Sequence, residues 1–226
     1  MKYESMIKGI FLARPNRFVA AVMAEGREVI AHVKNTGRCR ELLIPGVCVY
    51  LQKNDNPARK TAYSLIAVEK GGCLVNMDSQ APNRVAYEYI KGGNIIEGVT
   101  LLERERTYGG SRFDLYYETP VKKGFIEIKG VTLENEGVAR FPDAPTQRGL
   151  KHVYELIKAA SEGYEAGIIF VVQMENVRYF TPNTKAQPEF ASALAKAQKQ
   201  GVFIRAFKCR VALDSLEIAG EIPVVL

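Results

Sequence analysis

Two short runs carry residue types suited to hydrolysis at a phosphate: Ser111-Arg112-Phe113-Asp114 and Phe125-Ile126-Glu127-Ile128-Lys129. Both read as β-strands, joined by the polar link Thr119-Pro120-Val121-Lys122-Lys123. Side chains alternate along a strand, so Glu127 and Lys129 share one face while Ile126 and Ile128 take the other. If the link closes an antiparallel hairpin with Glu118 opposite Lys123, Asp114 falls opposite Glu127. Carboxylates facing each other across a ladder, with Cβ atoms about 5 Å apart, repel. A divalent cation between them, Mg²⁺ or Mn²⁺, removes the conflict. Such ions take oxygen ligands, commonly one or two carboxylates together with waters and substrate phosphates. The backbone carbonyl of Ile128 offers a further oxygen. Lys129 can orient a water or stabilise charge developing on a phosphate. The plain alternative is a solvated strand face on which Glu127 and Lys129 form a surface pair of little energetic weight. Against it, Phe113, Leu115 and Tyr117 alternate with Asp114 and Tyr116, so the strand also has a face to bury.

Asp114 followed by Glu127-Ile128-Lys129 resembles the core motif of PD-(D/E)xK nucleases, a mixed sheet flanked by helices. From end to end the chain resembles the sugar fermentation stimulation protein A family. The match is carried by Asn16-Arg17-Phe18, His32-Val33-Lys34-Asn35-Thr36-Gly37-Arg38, Arg59-Lys60-Thr61, Ser111-Arg112-Phe113-Asp114, Glu127 through Leu133, Phe141-Pro142-Asp143-Ala144 and Arg148-Gly149-Leu150-Lys151-His152. Pro145 and Gln187 depart from it, standing where Val and Asp are expected. The resemblance implies an α+β protein of two domains, an N-terminal OB-like β-barrel and a restriction-endonuclease-like mixed sheet. It implies DNA binding without sequence preference, a link to sugar (maltose) metabolism and, through the fold, a nuclease site. Nuclease-like folds often bring another acid to the metal. Glu88, on the helix before the strands, is the candidate, with Glu103 as its competitor.

The 226 residues, 47% of them apolar, suffice for one large domain or two small ones. No run approaches the roughly 18–20 apolar residues of a membrane span. The start, Met1-Lys2-Tyr3-Glu4-Ser5, lacks the apolar core of a secretory leader. Cysteines 39, 48, 73 and 209 form no C-x-x-C pair, and two histidines do not suggest a zinc site. A cytoplasmic protein with reduced thiols is expected. The net charge of +6 is uneven: residues 1–81 carry 12 Lys/Arg against 7 Asp/Glu, and residues 82–226 carry 19 against 18. An excess confined to the first third suits a part that holds a polyanion, although it also serves solubility. The serine-hydrolase elbow, the G-x-x-x-x-G-K-[ST] phosphate loop and the G-x-G-x-x-G dinucleotide fingerprint are absent.

Two regions differ in period. In residues 1–81, strands are expected at 18–23, 29–33, 47–51, 62–68 and 74–76. Pro45-Gly46, Asn54-Asp55-Asn56-Pro57 and Gly71-Gly72 separate them. About five short strands in this length fit a Greek-key barrel of the OB type. Residues 82–226 alternate helices and strands. Asn83 reads as the N-cap of a helix through Lys91, followed by strands near 99–107, 112–118 and 124–130. Helix 146–161 has apolar positions Leu150, Val153, Tyr154, Ile157 and Ala160 and ends before Gly163. The apolar run 167–173 marks a central strand buried on both sides, and helix 188–200 precedes strand 202–208. This alternation implies a mixed sheet covered on both faces.

In the barrel, Arg14, Arg17, His32, Asn35, Arg38, Arg59 and Lys60 are candidates for lining a nucleic-acid groove. Phe18 and Tyr63 could stack on bases, although the strand position of Phe18 favours core packing. Asn35-Thr36-Gly37 could instead serve only to close a hairpin. Arg148 and Lys151 on helix 146–161 could meet the phosphate backbone, while the isolated His152 reads as a surface residue. Asp143 caps that helix or leans toward the metal, and Gln173 could support the site from behind. Two functions remain. One is a metal-dependent nuclease acting on DNA, with RNA open; the other is a DNA-binding regulator that keeps the fold without cutting. Both predict salt-sensitive binding. Two acids beside a polyanion favour the nuclease, because without a metal they repel the ligand.

Overall fold

A computed structural model of the chain describes residues 1–35, 37–54, 56 and 59–226. Part of the sequence-expected turns at 35–37 and 54–57, namely Thr36, Asp55 and Pro57, therefore lies outside the described residues. The first six strands are β1 (Met6–Asn16), β2 (Val19–Ala24), β3 (Arg27–Val33), β4 (Cys48–Lys53), β5 (Tyr63–Lys70) and β6 (Cys73–Asn76). β1 pairs with β2 and β4, β2 with β3, and β4 with β5, all antiparallel. A parallel pairing of β3 with β5 closes these five strands into a barrel, and β6 extends β5. Closure requires the strands to bend. In β1 the register slips between Phe11 and Ala13 and again before Asn16, the usual effect of β-bulges. Those slips break the two-residue period, which is why β1 has no clear signature in the sequence.

α1 (Ala81–Lys91) follows, then β7 (Leu101–Tyr108), β8 (Ser111–Glu118), β9 (Lys123–Val131), β10 (Leu133–Asn135) and β11 (Val138–Phe141). After α2 (Gln147–Ser161) come β12 (Glu165–Val172), β13 (Tyr179–Pro182), α3 (Pro188–Lys199), β14 (Phe203–Val211) and β15 (Leu216–Ile222). The large sheet has the order β15-β14-β12-β9-β8-β7. β9, β12 and β14 run parallel, while β7, β8 and β15 supply antiparallel edges. β12 is central and buried along nearly its whole length, as its apolar run predicts. β10, β11 and β13 form a small separate sheet.

α1 covers one face of the large sheet, packing Val85, Ala86 and Ile90 with Leu115, Tyr117, Ile126 and Ile128. α2 and α3 cover the other, with Val153, Leu156, Phe190 and Leu194 among Phe113, Phe125 and Phe170. The apolar cluster on the α2–α3 side continues into the barrel interior through Met77, Val172 and Met174.

Four local expectations need correction. Asn83 does not cap α1: the helix begins earlier, Gln80 is its N-cap and Pro82 lies in its first turn, a position where proline loses no helical hydrogen bond. Asp143 does not cap α2. Thr146 does, accepting Gly149 N–H at 3.0 Å, while the unusual Gln187 accepts Thr146 N–H at 2.9 Å. Tyr154 is exposed because the buried stripe of α2 runs through Gly149, His152, Val153, Leu156 and Ala159. Finally, Phe113, Leu115 and Tyr117 do not share a face: Phe113 joins Tyr116 in the α2-side core, whereas Leu115 and Tyr117 face α1.

Candidate active site

The change of face occurs at Asp114. Register between β7 and β8 is continuous on either side, with Arg104 opposite Leu115 and Arg106 opposite Phe113. Between them Glu105 has φ of 58°, left-handed backbone that a non-glycine residue adopts only where its surroundings impose it. On the other edge, Glu118 stands opposite Lys123 as the hairpin reading requires. The ladder runs only as far as Leu115 opposite Ile126. Asp114, next in line, opens the gap between β8 and β9, and its side chain takes over the ladder's work. Oδ2 accepts Ile128 N–H at 2.7 Å, and Oδ1 accepts from Asn83 Nδ2 on α1 at 2.7 Å. A strand residue points its N–H and C=O to the same edge. The Ile128 carbonyl therefore faces the same gap as Asp114.

Glu127 is buried. Its Oε1 receives Lys129 Nζ and lies against His152 Nδ1, each at 2.5 Å. Its Oε2 is buried, and among the described residues no donor reaches it. Burial, and then the charge of Glu127, push the Asp114 carboxyl up to about 6. For Glu127, burial alone acts upward; the His152 bond and Lys129 outweigh it and hold the carboxyl below its usual range. The environment thus keeps one acid ionised while making the second reluctant to ionise, an asymmetry typical of functional sites.

A third acid does not join them. Among the described residues no three His, Cys, Asp or Glu side chains form a metal-holding group. Glu88 is engaged elsewhere, with Oε1 on Arg84 and Oε2 on the Met1 amino group. Five residues separate it from Asn83, the α1 residue that reaches Asp114, so it projects about 140° around the helix from that direction. Glu103 pairs with Arg106 on an exposed strand face. Two carboxylates and a carbonyl still match a hard cation that keeps waters and substrate oxygens, and the orphaned Glu127 Oε2 is a ready ligand.

The basic candidates separate by role. The Arg14 guanidinium donates to the carbonyls of Arg17, Asn35, Gly37 and Arg38 at 2.7–2.8 Å. It therefore shapes the β1–β2 turn and the loop after β3 rather than facing a ligand. Asn35 closes that loop by accepting Gly37 N–H at 2.8 Å. Lys151 is tied to the Gly110 carbonyl at 2.6 Å, and Arg59 to Asn54 at 2.6 Å. Lys60 and Arg148 are exposed. Arg17 lies over Phe18, its guanidinium carbon 4.7 Å from the ring centroid. Phe18 is not core: it stands at the β1–β2 turn and is 46% exposed. Tyr63 is buried with its hydroxyl on Glu25 at 2.9 Å, so it offers no free ring.

His152 is the main residue of the candidate site that the sequence misplaces, since it is buried against Glu127 rather than exposed. Its spacing, three residues after Gly149 and four before Leu156, is the available signal. Gln173 is buried and donates to Asn76 Oδ1 and the Asp78 carbonyl at 2.9 and 3.0 Å, so it links β12 to the barrel. Asp143 stands against Gly37, where an added Cβ would lie 2.6 Å from Asp143 Oδ2.

A closed OB barrel followed by a restriction-endonuclease-like mixed sheet, with an acid pair and a lysine where β8 leaves β9, defines a two-domain protein with a nuclease-like fold. The chain belongs to the sugar fermentation stimulation protein family. The family's "SfsA N-terminal OB domain" matches residues 12–77, and its "Sugar fermentation stimulation protein RE domain" matches 80–215. Sugar fermentation stimulation protein homologs from Clostridium beijerinckii and Desulfitobacterium hafniense are each 54% identical over 226 residues, covering 100% of this chain and 100% and 99% of theirs. A structure of Pyrococcus furiosus SfsA in complex with Ca²⁺ superposes with a TM-score of 0.91 at 33% identity, over 100% of this chain and 98% of that one.

Proposed function

We propose that this protein is a metal-dependent phosphodiesterase that binds DNA without sequence preference and acts in the cytoplasm. In this reading residues 1–81 hold the nucleic acid and residues 82–226 cut it. Asp114, Glu127 and the Ile128 carbonyl hold Mg²⁺ or Mn²⁺. The observation that carries the reading is the buried Oε2 of Glu127 beside Asp114, which has no partner among the described residues, since an anionic oxygen buried without a donor is costly unless a cation meets it. The Ca²⁺ complex of the Pyrococcus furiosus relative supports a divalent ion. Bound there, the ion supplies Lewis acidity at the scissile phosphate and counters its charge. Lys129 stabilises negative charge on the phosphate from the Glu127 side. His152 positions Glu127, fixing Oε1 so that Oε2 is left for the cation. No helix among the described residues is long and apolar enough to cross a membrane.

The test is cleavage of labelled single- and double-stranded DNA and RNA with Mg²⁺, Mn²⁺ or EDTA. Wild type should cut only with metal, and Asp114→Ala and Lys129→Ala should each lose about a hundred-fold or more of the rate while still binding. Binding by all three proteins with no cutting in any metal would leave the non-cleaving regulator.

A further inference from the structure

Three cavities adjoin one another through shared wall residues. The first, about 430 Å³, opens on the barrel between the β1–β2 turn and the loop after β3, with Arg14, Arg17, Arg38 and Arg40 in its wall. Arg14 is committed to backbone carbonyls, as described above. No ion pair is made by Arg17, Arg38 or Arg40 among the described residues, although ion pairs are common elsewhere on the surface. Gly37 borders this cavity and also the next, a neck of about 180 Å³ between barrel and sheet domain. Asn35 and Ser79 face Gly130, Arg140, Asp143 and Gln173 across the neck. Ser79 in turn borders the third cavity, about 470 Å³, where Asn83, Arg84 and Arg104 surround Asp114. The walls of the neck and the third cavity thus bracket the acid site, with Gly130 following Lys129 on one side and Asp114 on the other.

We infer that these cavities form one path for a single strand of nucleic acid, anchored by its phosphates in the barrel's arginine cavity and drawn over the neck to Asp114. The inference rests on the proposed nucleic-acid reading and adds the strand class and the route. Three features support it. Unpaired arginines concentrate at the barrel end, where backbone phosphates are the complementary ligand. Phe18, held out at the same turn with Arg17 against one face, offers its other face to a base, and a duplex keeps its base faces stacked inside. The neck is narrow where the domains touch: a Cβ on Gly37 of the barrel would lie 2.6 Å from Asp143 of the sheet domain. A passage of that size takes part of one strand at a time and excludes the paired backbones of a helix.

The path is tested by binding, separately from cutting. Fluorescence anisotropy in EDTA compares a labelled single-stranded oligonucleotide with a duplex of equal length, for the full-length wild type, R38A/R40A, and F18A as an independent variant outside the arginines. The strand should bind wild type about ten-fold or more tighter than the duplex. R38A/R40A should weaken strand binding and flatten its log–log salt dependence by about 1.4, two phosphate contacts at roughly 0.7 each. F18A should weaken strand binding while leaving the salt slope unchanged. Arg38, Arg40 and Phe18 are exposed side chains, so the variants are expected to melt with wild type, and melting curves check this. Equal or tighter duplex binding would overturn the single-strand path. So would strand binding indifferent to R38A/R40A. Strand binding by this route without cleavage in any metal would support the path and overturn the hydrolytic reading instead.

Discussion

At the scale of residues, the site depends on a conflict between Asp114 and Glu127 that neither side chain resolves alone. Asp114 holds two donors, yet burial and the neighbouring carboxylate push it up to about 6 from an ordinary 3.8. A carboxyl raised on folding stabilises the folded state only while protonated. Its contribution is therefore present below about pH 4 and disappears as pH rises through about 6. Asn in place of Asp114 keeps an acceptor and has no proton to lose, so it stays neutral as pH rises. In EDTA, D114N should become progressively more stable relative to wild type between pH 4 and 7, by up to about 3 kcal/mol. Urea melts at several pH values measure this difference, and Mn²⁺ should close the gap by stabilising wild type alone. A flat difference across that range would mean that neither burial nor Glu127 holds the Asp114 carboxyl up.

At the scale of elements, the sheet is built by placing aromatic rings over glycines on neighbouring strands. Gly124 on β9 lies opposite Tyr117 on β8, and Gly167 on β12 lies opposite Phe203 on β14. A Cβ on Gly124 would come within 2.5 Å of Tyr117 Cζ and Oη, and one on Gly167 within 2.0 Å of Phe203 Cζ. The closer approach does not imply the larger cost. Tyr117 is fully buried, with its hydroxyl held by Glu165 at 2.8 Å, and cannot turn aside. Phe203 is only partly buried, and its ring can move toward solvent. G124A should therefore cost about 1–3 kcal/mol, the usual range for overpacking, and G167A less, as read from urea melts. The β8–β9 pairing that Gly124 permits also brings Asp114 to Ile128, so cleavage should fall with stability in G124A.

At the scale of the molecule, a buried polar network joins barrel to sheet. Gln173, following β12, reaches Asn76 at the end of β6 and the Asp78 carbonyl, and Asn76 in turn donates to the Tyr3 hydroxyl at 3.0 Å. Lys34 after β3 pairs with Asp78 at 2.6 Å. Removing Gln173 takes one of two donors from each acceptor, since Asn76 Oδ1 keeps the Asp78 N–H and the Asp78 carbonyl keeps the Ala81 N–H. Q173A should cost about 1–3 kcal/mol, and hydrogen exchange should show faster opening around residues 76–80 than in the barrel strands far from the junction. Uniform loss of protection would place this network inside one cooperative unit rather than at a seam.

The sequence by itself determined whatever depends on near neighbours. A short polar link fixed the start of the hairpin register, Glu118 opposite Lys123, side-chain alternation placed Glu127 and Lys129 together, and an uninterrupted apolar run marked β12 as central. Tertiary structure decided whatever depends on residues far apart in the chain. His152 becomes buried only because α2 packs its Gly149–Leu156 stripe onto β9, 25 residues away from Glu127. Arg14 is diverted from ligand binding by carbonyls up to 24 residues distant, and Phe18 is exposed because β2 begins one residue after it. Asp114 sits at a change of strand face that strict alternation does not contain. Periodicity reports the local geometry of the backbone, whereas the partners of a buried charge are settled by how distant segments fill space around it.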